Sequence, residues 1–181
     1  MTKKQIPAKA SKIALAKDKN GTLEETVVTL LKKKKLQLSL AESLTGGMIA
    51  QRIVNVAGAS EVFGYGFVTY SNKAKHKCLG VKKSTLKEQG AVSAKCAKQM
   101  AKGACKASGA DISVSVTGLA GPGGGTEETP VGTVFMGCCY QGKTIAKEFH
   151  FTGDRLQIRE QTAEHALMLL RDCMVKGIPS K

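Results

Sequence analysis

The sequence predicts an α/β fold: a three-layer α/β/α sandwich with a mixed, largely parallel sheet. Three observations carry that expectation. Segments of β character alternate with segments of helical periodicity along most of the chain, which is the order of strands joined by crossover helices. Two adjacent β-rich segments near the carboxyl end are separated only by Gln141 to Lys143, the spacing of a hairpin and hence of antiparallel pairing. With 181 residues, 42% of them apolar, the chain has material for one sizeable core and shows no internal repeat.

Taken in order, Met1 to Gly21 reads as a basic flexible extension and residues 22–181 as a single domain. "TLEETVVTLLKKKK" opens on a capping box of Thr22 and Glu25, and Leu23, Val27, Leu30 and Leu31 share one helical face. Lys32 to Lys35 close that helix favourably against its carbonyl end. Lys35 to Ala41 reads as a short strand, and Thr45 to Ala57 as a helix opened by small residues. "EVFGYGFVTYS" is β-rich and aromatic, "VSAKCAKQMAKGACKAS" is an alanine-rich helix starting near Ser93, and "ADISVSVTG" is a buried strand. "LAGPGGGTEETP" is a loop, because its glycines and prolines sustain neither regular element. The hairpin strands "VGTVFMGCCYQG" and "KTIAKEFHF" follow. A last helix from Asp154 to Lys176 turns Ile158, Ala163, Ala166, Leu167 and Leu170 inward.

The charge distribution excludes some functions. The net charge is +14, but Met1 to Lys35 alone hold ten lysines against Asp18, Glu24 and Glu25, so half of the excess lies in the first fifth of the chain. Only four of the 28 cationic residues are arginines, aromatics are 4%, and tryptophan is absent. Arginine reads guanine edges and aromatics stack bases, so nonspecific attraction to polyanions is expected but no specific nucleic-acid readout. No apolar run is long enough to span a bilayer, and no membrane association is expected. The six cysteines form no CxxC pair and no ligand interval with histidine, so neither metal nor redox motif is written here. Reduced thiols fit a cytoplasmic protein; the basic extension leaves organelle targeting as the lesser alternative.

"AESLTGG" poses the functional question, since Ser43 falls where a strand gives way to a helix. A serine just before a helix is most often an N-cap. The carboxyl edge of an open α/β sheet is also where ligands bind, so a nucleophile at Ser43 is the alternative to the cap. Gly46 and Gly47 allow close approach of backbone and substrate. Thr45 either caps the helix or touches substrate, and backbone N–H groups near Thr45 to Gly47 are the natural oxyanion donors. Glu42 is a structural ion-pair partner or a functional group. Gly121, Gly123 and Gly124 with Arg155 offer backbone and guanidinium donors for a phosphate, although no GK[ST] follows to make a P-loop. His76, His150 and His165 do not form an alternative triad.

"AESLTGG", "GYGFVTYSNKAK", "GAVS", "VTGLAGPGGGTEETPVGTV" and "FTGDR", in that order, closely resemble the carboxy-terminal domain of the CinA family, the PncC-type nicotinamide mononucleotide deamidases. The likeness runs from about Leu23 to Lys176. It implies an amidohydrolase converting nicotinamide mononucleotide and water to nicotinic acid mononucleotide and ammonia by a serine/lysine mechanism, with no metal and no cofactor. Larger members carry an additional amino-terminal nucleotide-pyrophosphatase module, for which this sequence leaves no room. By this resemblance the nucleophile falls on Ser43, its activating lysine on Lys75, the associated tyrosine on Tyr70 and the arginine of the "GDR" motif on Arg155. Tyr70 is expected to bond the serine or hold the lysine. Leu44 departs from the family's frequent cysteine and is expected to stay clear of the chemistry.

The base assignment makes a physical demand. A lysine with its ordinary pKa of about 10.4 is almost wholly protonated at neutral pH, so a catalytic base must bring that value down to about 7 to 8. Desolvation is expected to dominate, with Lys73 and Lys77 as solvated surface charges. A catalytically silent nucleotide-binding or regulatory module of the same fold is the alternative function, and a homo-oligomer is the expected assembly.

Overall fold

The computed structural model describes residues 21–178. The expected extension lies outside the described residues except for Gly21, and so do the last three residues of the expected domain. The elements are α1 (Leu23–Lys34), β1 (Leu38–Glu42), α2 (Met48–Val54), a 3₁₀ turn (Ala59–Glu61), β2 (Phe63–Val68), α3 (Asn72–Leu79), α4 (Lys83–Glu88), α5 (Ala94–Ser108), β3 (Ile112–Gly118), β4 (Thr133–Tyr140), β5 (Lys143–His150) and α6 (Arg155–Lys176). The five strands form one sheet in the order β2-β1-β3-β4-β5. β1 pairs parallel to both β2 and β3, whereas β4 pairs antiparallel to β3 and β5. Four strands therefore point one way and β4 opposes them, as a mixed and largely parallel sheet requires.

Helix ends follow the local chemistry of the chain. Thr22 and Glu25 form the expected capping box, and Asp154 with Gln157 forms a second one at the start of α6. Ser71 and Ser93 cap α3 and α5 through their side chains. Gln141 and Gly142 both take positive φ, which makes the two-residue turn that matches hairpin twist. Two expected boundaries move. Lys35 caps α1 in the left-handed region, so β1 begins only at Leu38. Gly46 and Gly47 have φ of 62° and 102°, which extends the turn and delays α2 to Met48. The short helices α3 and α4 occupy a stretch to which the sequence reading assigned no element.

The sheet faces differ in character. Leu40, Ile112, Val114 and Val116 join the apolar cluster under α1, α2 and α6, where Ile158, Ala163, Ala166, Leu167 and Leu170 are buried as expected. Arg52 of α2 ties this layer together through Glu24 of α1 and Glu164 of α6, each at 2.6 Å. On the opposite face the hydroxyls of Ser113 and Ser115 donate to the Ala101 and Ala97 carbonyls of α5, both at 2.7 Å. Gly137 lets α5 approach so closely, since a Cβ there would collide with the Ala97 carbonyl. α3 and α4 pack against α5 rather than lying flat on the sheet.

Two consequences bear on the site. Because β2, β1 and β3 are parallel, their carboxyl ends bring Ser43, Thr69–Tyr70 and Gly118–Gly121 to one edge of the sheet. The end of α3 is seated on α5 at Gly103, where a Cβ would meet the Leu79 carbonyl. Gly103→Ala is therefore expected to destabilise the protein by about 1–3 kcal/mol in urea unfolding, although alanine favours an isolated helix by about 1 kcal/mol.

Candidate active site

Helix α2 has no capping side chain at its own N-cap, Gly47. The cap comes instead from Glu42, at the end of β1, whose carboxylate accepts from the N–H groups of Gly47, Ile49 and Ala50 at 2.9–3.1 Å. Glu42 is 1% exposed and makes no ion pair among the described residues; its charge is balanced by these donors and by the positive end of the helix. Ser43 is therefore not the cap of α2. The cap is the carboxylate before the serine, and the hydroxyl is left to face elsewhere.

It faces Lys75, whose Nζ lies 2.8 Å from Ser43 Oγ and donates also to the Thr69 carbonyl at 2.8 Å. Lys75 is 2% exposed and Ser43 8%. Thr69 is held in register by its own N–H, which donates to the Glu42 carbonyl. Burial pushes the Lys75 pKa down, and Cys96, the charged-form partner that would oppose this, is itself pushed up to about 11 by burial and so is neutral near pH 7. The desolvation expected of a catalytic base is present, with Lys73 and Lys77 contributing nothing to it.

Ser43 and Lys75 open into a cleft of about 250 Å³ lined also by Leu44, Tyr70, Asn72, Thr117, Gly121, Gly123 and Arg155. Arg155 reaches across it, with Nη1 donating to the Gly121 carbonyl at 2.7 Å and Nη2 to the Tyr70 hydroxyl at 2.8 Å.

Several expectations change. Tyr70 makes no hydrogen bond to the serine or the lysine; it stands 60% exposed, held by Arg155. Leu44 lines the cleft. Thr45, Gly46, Gly47 and Gly124 are not in its wall: Thr45 is fully buried, and the other three lie outside the lining. Gly46 and Gly47 also fail as oxyanion donors, because their N–H groups bond to the Ser43 carbonyl and to Glu42. The N–H groups of Leu44 and Thr45 are the ones those bonds leave. The turn is pinned from α6 by Arg159, which donates to the Leu44 and Thr45 carbonyls at 3.0 and 2.8 Å. His165 meets Phe149 edge-on and Phe151 at a tilt, and no histidine lines the cleft. Thr69 was invisible to residue-type reasoning, because it acts through its backbone.

The family model for the CinA C-terminal domain matches residues 20–174. The chain belongs to the CinA family. A Clostridium perfringens relative, whose name describes it as competence-damage inducible, is 55% identical over 83% of this chain, and a CinA-like protein from Kosmotoga olearia is 52% identical over 85%. The chain spans just over a third of the length of these relatives, 36% and 37%. A crystal structure of a CinA superfamily protein from Klebsiella pneumoniae superposes with a TM-score of 0.82 at 33% identity, covering 85% of this chain and 96% of that one. The competence/damage inducible protein CihA from Agrobacterium tumefaciens gives 0.79 at 43%, covering 82% and 93%.

Two outcomes are expected of this geometry. Glu42→Ala strands one buried and two part-buried N–H groups and should cost about 1–3 kcal/mol in thermal or urea unfolding. The unfolded chain holds the Lys75 proton up to 10.5, whereas the folded chain releases it at lower pH. Between those two values the unfolded state binds more protons, so this group adds stability as pH rises. Lys75→Met should flatten that rise when unfolding is followed at increasing pH.

Proposed function

We infer that the chain is a nicotinamide-nucleotide amidase that hydrolyses nicotinamide mononucleotide to nicotinic acid mononucleotide and ammonia. The observation that carries this reading is the dry contact of 2.8 Å between Lys75 Nζ and Ser43 Oγ at the floor of an open cleft. An exposed lysine beside a serine would be an ammonium and a poor base; a desolvated one is available as the neutral amine. Membership of the CinA family supports the substrate class.

In this mechanism neutral Lys75 takes the Ser43 proton while the oxygen bonds to the carboxamide carbon. The negative oxygen that develops is met by the Leu44 N–H group. Lys75 then delivers its proton to the departing nitrogen, the carbon–nitrogen bond breaks, and ammonia leaves an ester on Ser43. Water, deprotonated by Lys75, attacks that ester; the acid product departs as the proton returns to Ser43. The Thr69 carbonyl aims Lys75 throughout and accepts from the protonated form. Arg155, already bonded to Gly121 and Tyr70, keeps its remaining donor capacity for the substrate phosphate.

The test is ammonia release from nicotinamide mononucleotide with stoichiometric formation of the acid. Ser43→Ala is expected to abolish it, and Lys75→Ala to lower kcat by about 100- to 10,000-fold, the usual worth of a general base. Wild-type kcat/KM should rise with pH along a limb set by the lowered Lys75 pKa. If the folded wild type releases no ammonia while the nucleotide raises its melting temperature, the silent binding module replaces the amidase.

A further inference from the structure

A second depression, of about 530 Å³, lies between α3 and α4. Lys73, His76 and Lys77 of α3 and Lys83 and Lys87 of α4 line it, over the half-buried side chain of Leu86. Asn72 lines this cleft and the serine cleft alike. Each helix places its two lysines four residues apart, where side chains are neighbours and like charges work against the helix. The helices are only 8 and 6 residues long, so that cost falls on elements with little stability of their own. No acidic side chain lines the cleft, and among the described residues none of the four lysines forms an ion pair. His76 is fixed in place, its Nδ1–H donating to the Val81 carbonyl at 2.8 Å, which leaves Nε2 as the ring's remaining polar atom.

We propose that the α3–α4 cleft is a second ligand site that takes the di- or triphosphate group of a small molecule. The charge count selects that group. One phosphate carries about −2 and leaves half of the lysine charge unmet, whereas linked phosphates supply roughly the full complement. Lysine ammonium groups are point-charge phosphate binders that adapt to a chain of oxygens, and the cleft has no arginine fork for a carboxylate. A nucleic-acid strand would call for aromatic stacking or arginine, and the walls provide only one histidine ring. The bound anion relieves the repulsion within both lysine rows. α3 links the site to the chemistry, because it carries Lys75 between Lys73 and Lys77. The assignment is independent of the amidase reading and is tested by binding alone.

The experiment is calorimetric titration of the full chain with tripolyphosphate at low ionic strength, beside orthophosphate and a single-stranded oligonucleotide. Three forms are compared: wild type, Lys77→Gln/Lys83→Gln, and a chain in which the six lysines of residues 1–20 are glutamine. Tripolyphosphate is expected to bind wild type and the tail variant equally and the cleft variant at least tenfold more weakly. The cleft variant should melt no lower than wild type, since its substitutions remove like-charge pairs. Unchanged binding by the cleft variant overturns the site, as does binding that disappears with the tail lysines. Orthophosphate binding as tightly as tripolyphosphate overturns the polyphosphate assignment, and an oligonucleotide preferred over both makes the face a nucleic-acid surface instead.

Discussion

In the proposed mechanism an amine takes a proton from a hydroxyl only while it is itself uncharged, and keeping water from Lys75 favours that form. Much of this fold serves that exclusion. α3 is pressed onto α5 at a position where only glycine fits, and its serine cap fixes the start of the helix next to β2. The parallel pairing of β1 with β2 sets the Thr69 carbonyl where it takes one lysine hydrogen, so the buried nitrogen is not left without partners. No carboxylate lines the cleft to restore the charge.

The same logic explains why the carboxylate of Glu42 points away from the lysine. A free carboxylate one residue from Ser43 would pair with an ammonium and hold it protonated. Three backbone N–H groups of α2 absorb that charge, and the helix gains its cap in the process. Arg159 removes two carbonyl acceptors of the turn in a similar way. After these bonds are made, the N–H groups of Leu44 and Thr45 are the unclaimed donors of the turn, and of these two residues only Leu44 lines the cleft beside the Ser43 hydroxyl. An anionic oxygen is welcome there and a cation is not.

The layer order, the capping box at Thr22, the helix start near Ser93, the hairpin and the inward face of α6 were all legible, because each rests on local periodicity or on one capping side chain. Ser43 and Lys75 were legible through motif resemblance, and the structure brings them within hydrogen-bonding distance. What escaped the sequence depends on long-range packing or on backbone atoms. Tyr70 and Arg155 are 85 residues apart, and no spacing rule pairs a tyrosine with an arginine over such a distance. Glu42 resisted because an acid eight residues before the last N–H it caps lies outside the usual capping interval. Gly46 and Gly47 were correctly seen as permissive but misassigned: they shape the turn and do not line the cleft.

β1 lies between β2 and β3 in the sheet and is parallel to both, so neither partner reaches it through a tight turn. The bonds that complete the site span 32 residues between Lys75 and Ser43 and 115 between Arg159 and Leu44. Such separations place the molecule among slow-folding topologies, in which loop closure precedes any compensating contact. During synthesis, therefore, the serine and lysine emerge before α6, and the turn that orients them stays unbraced until that helix has left the ribosome and docked.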